Sequence, residues 1–235
     1  MCGRFRLSRR KQLIEEYFDC VVEDDDWSPR YNIAPMQSIP VIRKKPEEPR
    51  RRLSLIRWGL VPSWSHDSSG AAAMINARLE TVDTKPTFRD AIKFRRCLVP
   101  ADGFYEWGAS GKLKQPYCFE VGEGELFAFA GIWERWKDPA EKGPANWIET
   151  CAILTAPANP VASAIHDRMP VILDPDQYDV WLDPRVTDLQ AATEILKSHN
   201  ADRLRFYPVS TRVNQVANDD QECAAFVEPA QERLF

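Results

Sequence analysis

The chain has 235 residues, and its 44% hydrophobic and 28% charged composition excludes wholesale disorder. A formal net charge of −4 excludes a protein that coats nucleic acid by bulk charge, while leaving room for a local basic groove. No apolar run approaches the roughly 18 residues of a membrane helix and no secretory core follows the first residues, so a soluble, cytoplasmic protein is expected; a monomer is expected by default, with nothing in the sequence that fixes the oligomeric state.

In chain order, Cys2 comes first, directly behind Met1. If Met1 is removed, the chain begins with a thiol and a free amine on neighbouring carbons, a pair that closes a five-membered thiazolidine ring on an aldehyde. A small buried hydrophobe is the alternative reading of the same residue. Ser8 to Phe18 puts Leu13, Ile14, Tyr17 and Phe18 on one face at helical spacing, with Arg9, Arg10 and Lys11 in the first turn. Trp27 to Pro35 contains two prolines and reads as a loop. Ser38 to Arg43 and Leu53 to Trp58 are β-like, joined by a basic, proline-containing connection that reads as a solvated hairpin tip. A Ser/Gly/Ala-rich loop carrying His66 then separates Trp58 to Trp64 from Met74 to Arg78.

Thr87 to Phe94 suggests a short helix and Arg95 to Pro100 a strand feeding Asp102 to Trp107. Gly108 to Gly111 reads as a turn. Gln115 to Val121 and Leu126 to Ile132 read as a strand pair joined through Gly122-Glu123-Gly124. Lys137 to Asn146 is a polar excursion before a strand at Trp147 to Thr155. Ile165 to Pro170 is a polar cluster between apolar segments, Asp188 to His199 a helix, and Arg205 to Val209 a last strand. After Asn218 the tail carries little signal.

The six cysteines are scattered, without a C-x-x-C pair or a histidine at finger spacing, so neither zinc nor a disulfide framework is supported. No cofactor is expected, because no glycine-rich phosphate loop or β-α crossover rhythm is present. The fold expected over residues 1–235 is a single α+β domain, a curled, largely antiparallel, barrel-like sheet with peripheral helices.

Candidates for chemistry are few. Glu106 lies between Tyr105 and Trp107 on an apolar strand, turned either to water or into a pocket that raises its pKa and makes it an acid/base. His166 is the histidine with polar company and is read as either a structural donor or a catalyst. Asn76 either caps a turn or orients a substrate.

Cys2-Gly3-Arg4-Phe5, Arg30-Tyr31-Asn32-Ile33-Ala34-Pro35, Trp58-Gly59-Leu60-Val61-Pro62-Ser63-Trp64, Ile75-Asn76-Ala77-Arg78, Gly103-Phe104-Tyr105-Glu106-Trp107 and His166-Asp167-Arg168-Met169-Pro170 occur in this order. Together they resemble the SOS-response-associated peptidase (SRAP) family, whose members crosslink to abasic sites in single-stranded DNA. The resemblance runs from Cys2 to about Val213. It implies capture of the ring-opened abasic sugar by Cys2, first as a Schiff base and then as a thiazolidine, with strand cleavage as a side reaction and peptide cleavage confined to the bond after Met1. It further implies Glu106 as proton shuttle, His166 as second acid/base and Asn76 as orienter. Arg4, Arg78 and Arg168 become phosphate contacts, and Trp64 with the Asn32 to Pro35 loop become stacking and wedge surfaces at single-strand or single/double-strand junction DNA. Trp58 and Trp107 are read as core packing. An N-terminal-nucleophile cysteine hydrolase and a passive single-strand-binding module stay open beside this reading.

Overall fold

The computed structural model describes residues 2–23, 27–44, 48, 50–110, 113–140, 146–186, 196 and 203–228. Strand β1 (Phe5–Leu7) leads into helix α1 (Lys11–Phe18), then β2 (Cys20–Val22), β3 (Arg30–Ile33), β4 (Ser38–Arg43) and β5 (Arg51–Trp58). Next come β6 (Asn76–Arg78), α2 (Arg89–Phe94), β7 (Arg96–Ala101), β8 (Gly103–Ser110), β9 (Leu113–Val121), β10 (Phe127–Lys137) and β11 (Trp147–Pro157). The last elements are β12 (Arg168–Pro170), β13 (Ile172–Leu173), α3 (Tyr178–Leu182) and β14 (Leu204–Pro208), followed by 3₁₀ turns at Thr211–Asn214 and Gln221–Ala224.

Among the described residues the strands make two sheets. In the first, β11 pairs with β10, β10 with β7, β7 with β4 at Leu98 opposite Ile42, and β4 with β5. A short parallel contact of Arg57 and Trp58 with Thr150 and Cys151 returns β5 to β11, so this sheet closes into a barrel and leaves few open edges. β6 runs parallel to β11 beside Ile153–Thr155. The second sheet is open and antiparallel, in the order β14, β9, β8, β1, β3. The architecture is therefore the barrel-like α+β fold expected from the sequence.

Aromatic side chains join the two sheets. Phe5 of β1 meets Trp58 and Phe129 of the barrel edge-on at 5.4 and 5.8 Å, and Phe104 stacks on Phe119 at 4.9 Å while touching Phe129 at 5.9 Å. Such pairs add roughly 0.5–1.5 kcal/mol each beyond their buried area. The chain passes from one sheet to the other at Asp102-Gly103, between β7 and β8. The fully buried Asp102 carboxylate accepts hydrogen bonds from Ser8 (N at 3.0 Å, Oγ at 2.6 Å) and pairs with Arg6 at 3.2 Å and Arg9 at 3.3 Å. Gly103 is required here, because a Cβ would stand 2.7 Å from Arg6 Nε. Arg6 also pairs with the buried Glu120, so these desolvated charges are compensated.

Several elements differ from the sequence expectation. Arg30–Ile33 is strand β3 rather than loop, because the run Arg30-Tyr31-Asn32-Ile33 between the two prolines is long enough to pair with β1. The helix starts at Lys11; Arg9 instead folds back onto Asp102, whose burial demands cations. β8 continues through Gly108 to Ser110, where a turn was expected. β9 and β10 do not pair with one another. β9 lies between β8 and β14, and β10 enters the barrel, so Gly122–Gly124 is a connection between sheets. The Asp188 to His199 helix lies outside the described residues except for Leu196, as does the middle of the Lys137 to Asn146 excursion.

The tail, silent in the sequence, docks on the outer face of the open sheet. Val213 and Cys223 pack with Tyr105, Cys118 and Val209, and Val209 forms an isolated bridge with Phe226. Polar groups lock this contact to β3. Asp219 accepts from the backbone N–H of Tyr31 (2.5 Å) and Asn32 (2.8 Å) and pairs with Arg30. The Asn32 amide, fully buried, donates to the carbonyls of Val213, Gln215 and Asn218 at 3.2, 3.0 and 2.6 Å. Replacing Asp219 or Asn32 by Ala leaves several of these groups unsatisfied and is expected to cost about 2–4 kcal/mol. Chemical denaturation checks this, and a loss below about 0.5 kcal/mol, the level of an ordinary surface change, would contradict it.

Candidate active site

Cys2 is fully buried at the start of the chain segment that becomes β1. Its backbone carbonyl accepts from Asn76 Nδ2 at 2.8 Å. Asn76 is held in place because β6 runs beside β11 and because the Trp58 indole donates to the Ile75 carbonyl at 2.8 Å. Its Oδ1 is buried with no hydrogen-bond partner among the described residues, leaving an acceptor available at the site. Burial pushes the Cys2 thiol well above its ordinary pKa, and the nearby Glu106 carboxylate pushes it further the same way. The thiol is thus kept protonated until a base removes its proton.

Glu106 owes its burial to strand alternation. Phe104 and Glu106 share one face of β8, and because Phe104 points into the core between the sheets, the carboxylate two residues on follows it, leaving Glu106 only 4% exposed. Burial raises its pKa, against the opposing charge of the chain's amino group and, when its ring is protonated, of His166. A carboxyl in this state exchanges protons nearer neutrality than an exposed one.

His166 sits in a loop tightened by a 3₁₀ turn at Ala162–Ala164. Asn159 Oδ1 accepts from Ala162 N at 2.8 Å, and His166 N donates to the Ala162 carbonyl at 3.0 Å. The N–H of Arg168 donates to His166 Nδ1 at 3.0 Å, which fits a neutral ring protonated at Nε2. Asp167 Oδ1 lies 2.8 Å from the same Nδ1, ready to pair with it when the ring is charged.

Glu106 and His166 line an open cleft of about 450 Å³ together with Trp107, Lys114 and Asn214. These last three were absent from the sequence candidates. Trp107, read from sequence as core, is half-buried in the cleft wall: alternation turns it away from Glu106 towards the docked tail, where its Nε1 donates to Asn214 Oδ1 at 2.7 Å. Lys114 and Asn214 carry no signal in the sequence, since a β9 hairpin and a docked tail bring them there. Among the described residues no group of three or more His, Cys, Asp or Glu is placed to hold a metal.

The six residues read as DNA contacts divide. Trp64 is 63% exposed, on a loop anchored by the Trp136 indole donating to the Ser65 carbonyl at 2.8 Å. Arg78 is exposed, and Pro35 is half-buried in the turn after β3. Asn32 is 0% exposed, with its side chain bonded to the tail and to Arg4, so it supports the site from behind and presents no surface. Arg4 donates to Asn32 Oδ1 at 2.8 Å and the Val213 carbonyl at 2.6 Å, with its guanidinium 5.7 Å from the Trp107 ring centre. Arg168 pairs with Glu80 and donates to the Thr155 carbonyl at 2.7 Å, and that pairing holds the Glu80 carboxyl below its ordinary range. A phosphate at Arg168 has to compete with Glu80.

The chain is similar to known proteins over most of its length. Residues 1–216 match the family model described as SOS response associated peptidase (SRAP). The chain is 40% identical over 225 residues to the abasic site processing protein YoqW of Bacillus subtilis, covering 94% of this chain and 98% of that protein. It is 33% identical over 231 residues to the abasic site processing protein HMCES of Gallus gallus, covering 86% of this chain and 67% of that one. A crystal structure of a Bacteroides thetaiotaomicron protein shares the fold, with a TM-score of 0.84 at 24% identity over 97% of this chain and 100% of that one. The chain belongs to the SOS response associated peptidase family.

Proposed function

We propose that this protein processes abasic sites in single-stranded DNA by capturing them covalently through Cys2, once removal of Met1 has freed its amine. The observation that carries the reading is the convergence of a buried aminothiol precursor, a buried carboxyl of raised pKa and a histidine beside one open cleft. The relatives' naming for abasic site processing supports the substrate class.

The ring-opened sugar presents an aldehyde. The Cys2 amine adds to its carbon and water leaves, giving an imine. The thiol sulfur then bonds to the same carbon, its proton passes to the nitrogen, and a thiazolidine closes. Because burial keeps the thiol protonated, the amine acts first and Glu106 relays the thiol proton to the nitrogen, while the Nε2–H of His166 serves sugar oxygens. Asn76 holds the Cys2 carbonyl, and its Oδ1 is available to a donor on the amine or sugar. Trp64 and Arg78 offer the stacking face and the cation for the flanking strand.

The test is a denaturing gel of the protein with single-stranded DNA before and after its uracils are excised. A shifted band is expected only after excision, with mass spectrometry of the attached protein showing Met1 absent; attachment through a chain that retains Met1 would sink the mechanism. Cys2→Ser keeps the amine but weakens ring closure, so it should be trapped on abasic DNA chiefly when borohydride is present.

Glu106→Gln and His166→Ala should each slow capture by roughly 10²–10⁴-fold while leaving binding of undamaged single strands nearly unchanged. Wild-type rates in both variants would remove these residues from the chemistry.

Glu106 also makes a stability prediction. Its folded pKa lies above the unfolded value, so the folded state binds the extra proton and loses stability as pH rises through the folded pKa. Glu106→Gln has no such cost. The melting temperature of the variant is expected to exceed wild type at pH 8 and to converge with it at pH 4; the opposite trend would show the carboxylate to be stabilised in its charged form.

A further inference from the structure

Away from the cleft, the outer wall of the barrel carries a second cationic and aromatic surface that the proposed chemistry does not use. Leu55 and Trp147 are 46% and 45% exposed there, an unusual concession for large apolar side chains on neighbouring strands of one sheet. With Arg57, Arg135 and Ile148 they line an open groove of about 510 Å³. Register explains the grouping. Arg57 of β5 stands opposite Ser38 of β4 and beside Thr150 of β11, and Arg135 of β10 stands opposite Glu149 of β11.

The charge balance of this groove is positive. Its carboxylate, Glu149, is already neutralised by Arg43 at 2.9 Å. Arg57 and Arg135 have no ion pair among the described residues, and the Arg135 guanidinium lies 4.4 Å from the centre of the Trp147 ring. Two uncompensated cations, one of them paired with an exposed indole, suit a strand that offers phosphates and unstacked bases together. A duplex presents its phosphates but hides its base faces, so the aromatic half of the groove would go unused.

The groove shares a hydrophobic support with the exposed surface at Pro35 and Trp64. Ser38 follows the Pro35–Gln37 turn, and Met36 of that turn packs with Ile148 of the groove on the cluster of Val61, Ala71 and Trp136. The same Trp136 anchors the loop that displays Trp64. One rigid support therefore lies beneath the Pro35 and Trp64 surface and beneath the edge of the groove.

We propose that the face carrying Leu55, Arg57, Arg135 and Trp147 is a second contact for single-stranded DNA, holding the strand on one side of the lesion through its phosphates at the two arginines and one base at Trp147. The proposal rests on the functional reading above, in that DNA is the ligand of the cleft. It predicts a length effect. An oligonucleotide too short to leave the cleft gains nothing from this face, and one several times longer does.

The experiment measures binding of undamaged single strands of both lengths by fluorescence anisotropy at several salt concentrations. In the intact protein the long strand should bind more tightly. Arg57→Gln with Arg135→Gln should lower the slope of log K against log salt on the long strand by about 1.4, the value for two phosphates on a single strand. Trp147→Ala should weaken the long strand by about tenfold. All three changes should leave binding and abasic capture of the short strand as in the wild type. Equal losses on both lengths, or none on either, would overturn the proposal, as would an affinity of this face for an acidic peptide that long DNA does not displace. If wild-type protein fails to capture abasic DNA yet shows the length effect, the functional reading fails and this face stands.

Discussion

The site depends on the alternation of one strand. In β8, Phe104 and Glu106 point towards the barrel while Tyr105 and Trp107 point the other way, to a face that the C-terminal segment covers. Phe104 has no freedom to reverse this, because it is stacked on Phe119 and wedged against Phe129. A slip of one residue would put Tyr105 in the core and Glu106 under the tail. The carboxyl is therefore buried as a by-product of aromatic packing, and its raised pKa follows from geometry that hydrophobic burial maintains.

Burying Glu106 and the Cys2 thiol costs stability, and the surrounding structure is arranged to bear it. The barrel closes on itself, so β11 and β6 cannot shift independently of Asn76. Behind the site, Arg6 and Arg9 with the buried Asp102 and Glu120 form a compensated ion cluster that fixes where β1 meets β8, and β1 carries Cys2 at its approach. On the far side the tail returns to hold Arg4 through Asn32 and the Val213 carbonyl. Three separate parts of the chain thus converge on the first few residues. A residue near a free chain end, ordinarily the least ordered part of a protein, is held in the interior.

The same construction separates reactive groups from supporting ones. Asn32 and Arg4 belong to the support: their polar atoms face the tail and the strand, and Arg4 lies against the Trp107 ring. Arg168 is shared between Glu80 and the Thr155 carbonyl of β11. Trp64 and Arg78 remain open to solvent, on elements anchored by buried neighbours.

Sequence alone determined that the chain is an α+β protein with a mainly antiparallel sheet, because period-2 runs such as Leu53 to Trp58 and the short hydrophobic segments around Cys97 and Phe129 leave little other choice. It also brought Cys2, Asn76, Glu106 and His166 forward as a set, through their side-chain chemistry and six ordered motifs. Tertiary structure alone decided which sheet each strand joins, since β9 and β10 have equally good patterns yet pair in different sheets. It alone decided the two faces of β8, and so that Glu106 is buried and Trp107 lines the cleft. It alone brought Lys114, Asn214 and Asp219 into play, because local pattern carries no information about contacts between β3 and a segment nearly two hundred residues later. The physical reason is that alternation and propensity are properties of neighbours in the chain, whereas burial and charge compensation are properties of neighbours in space.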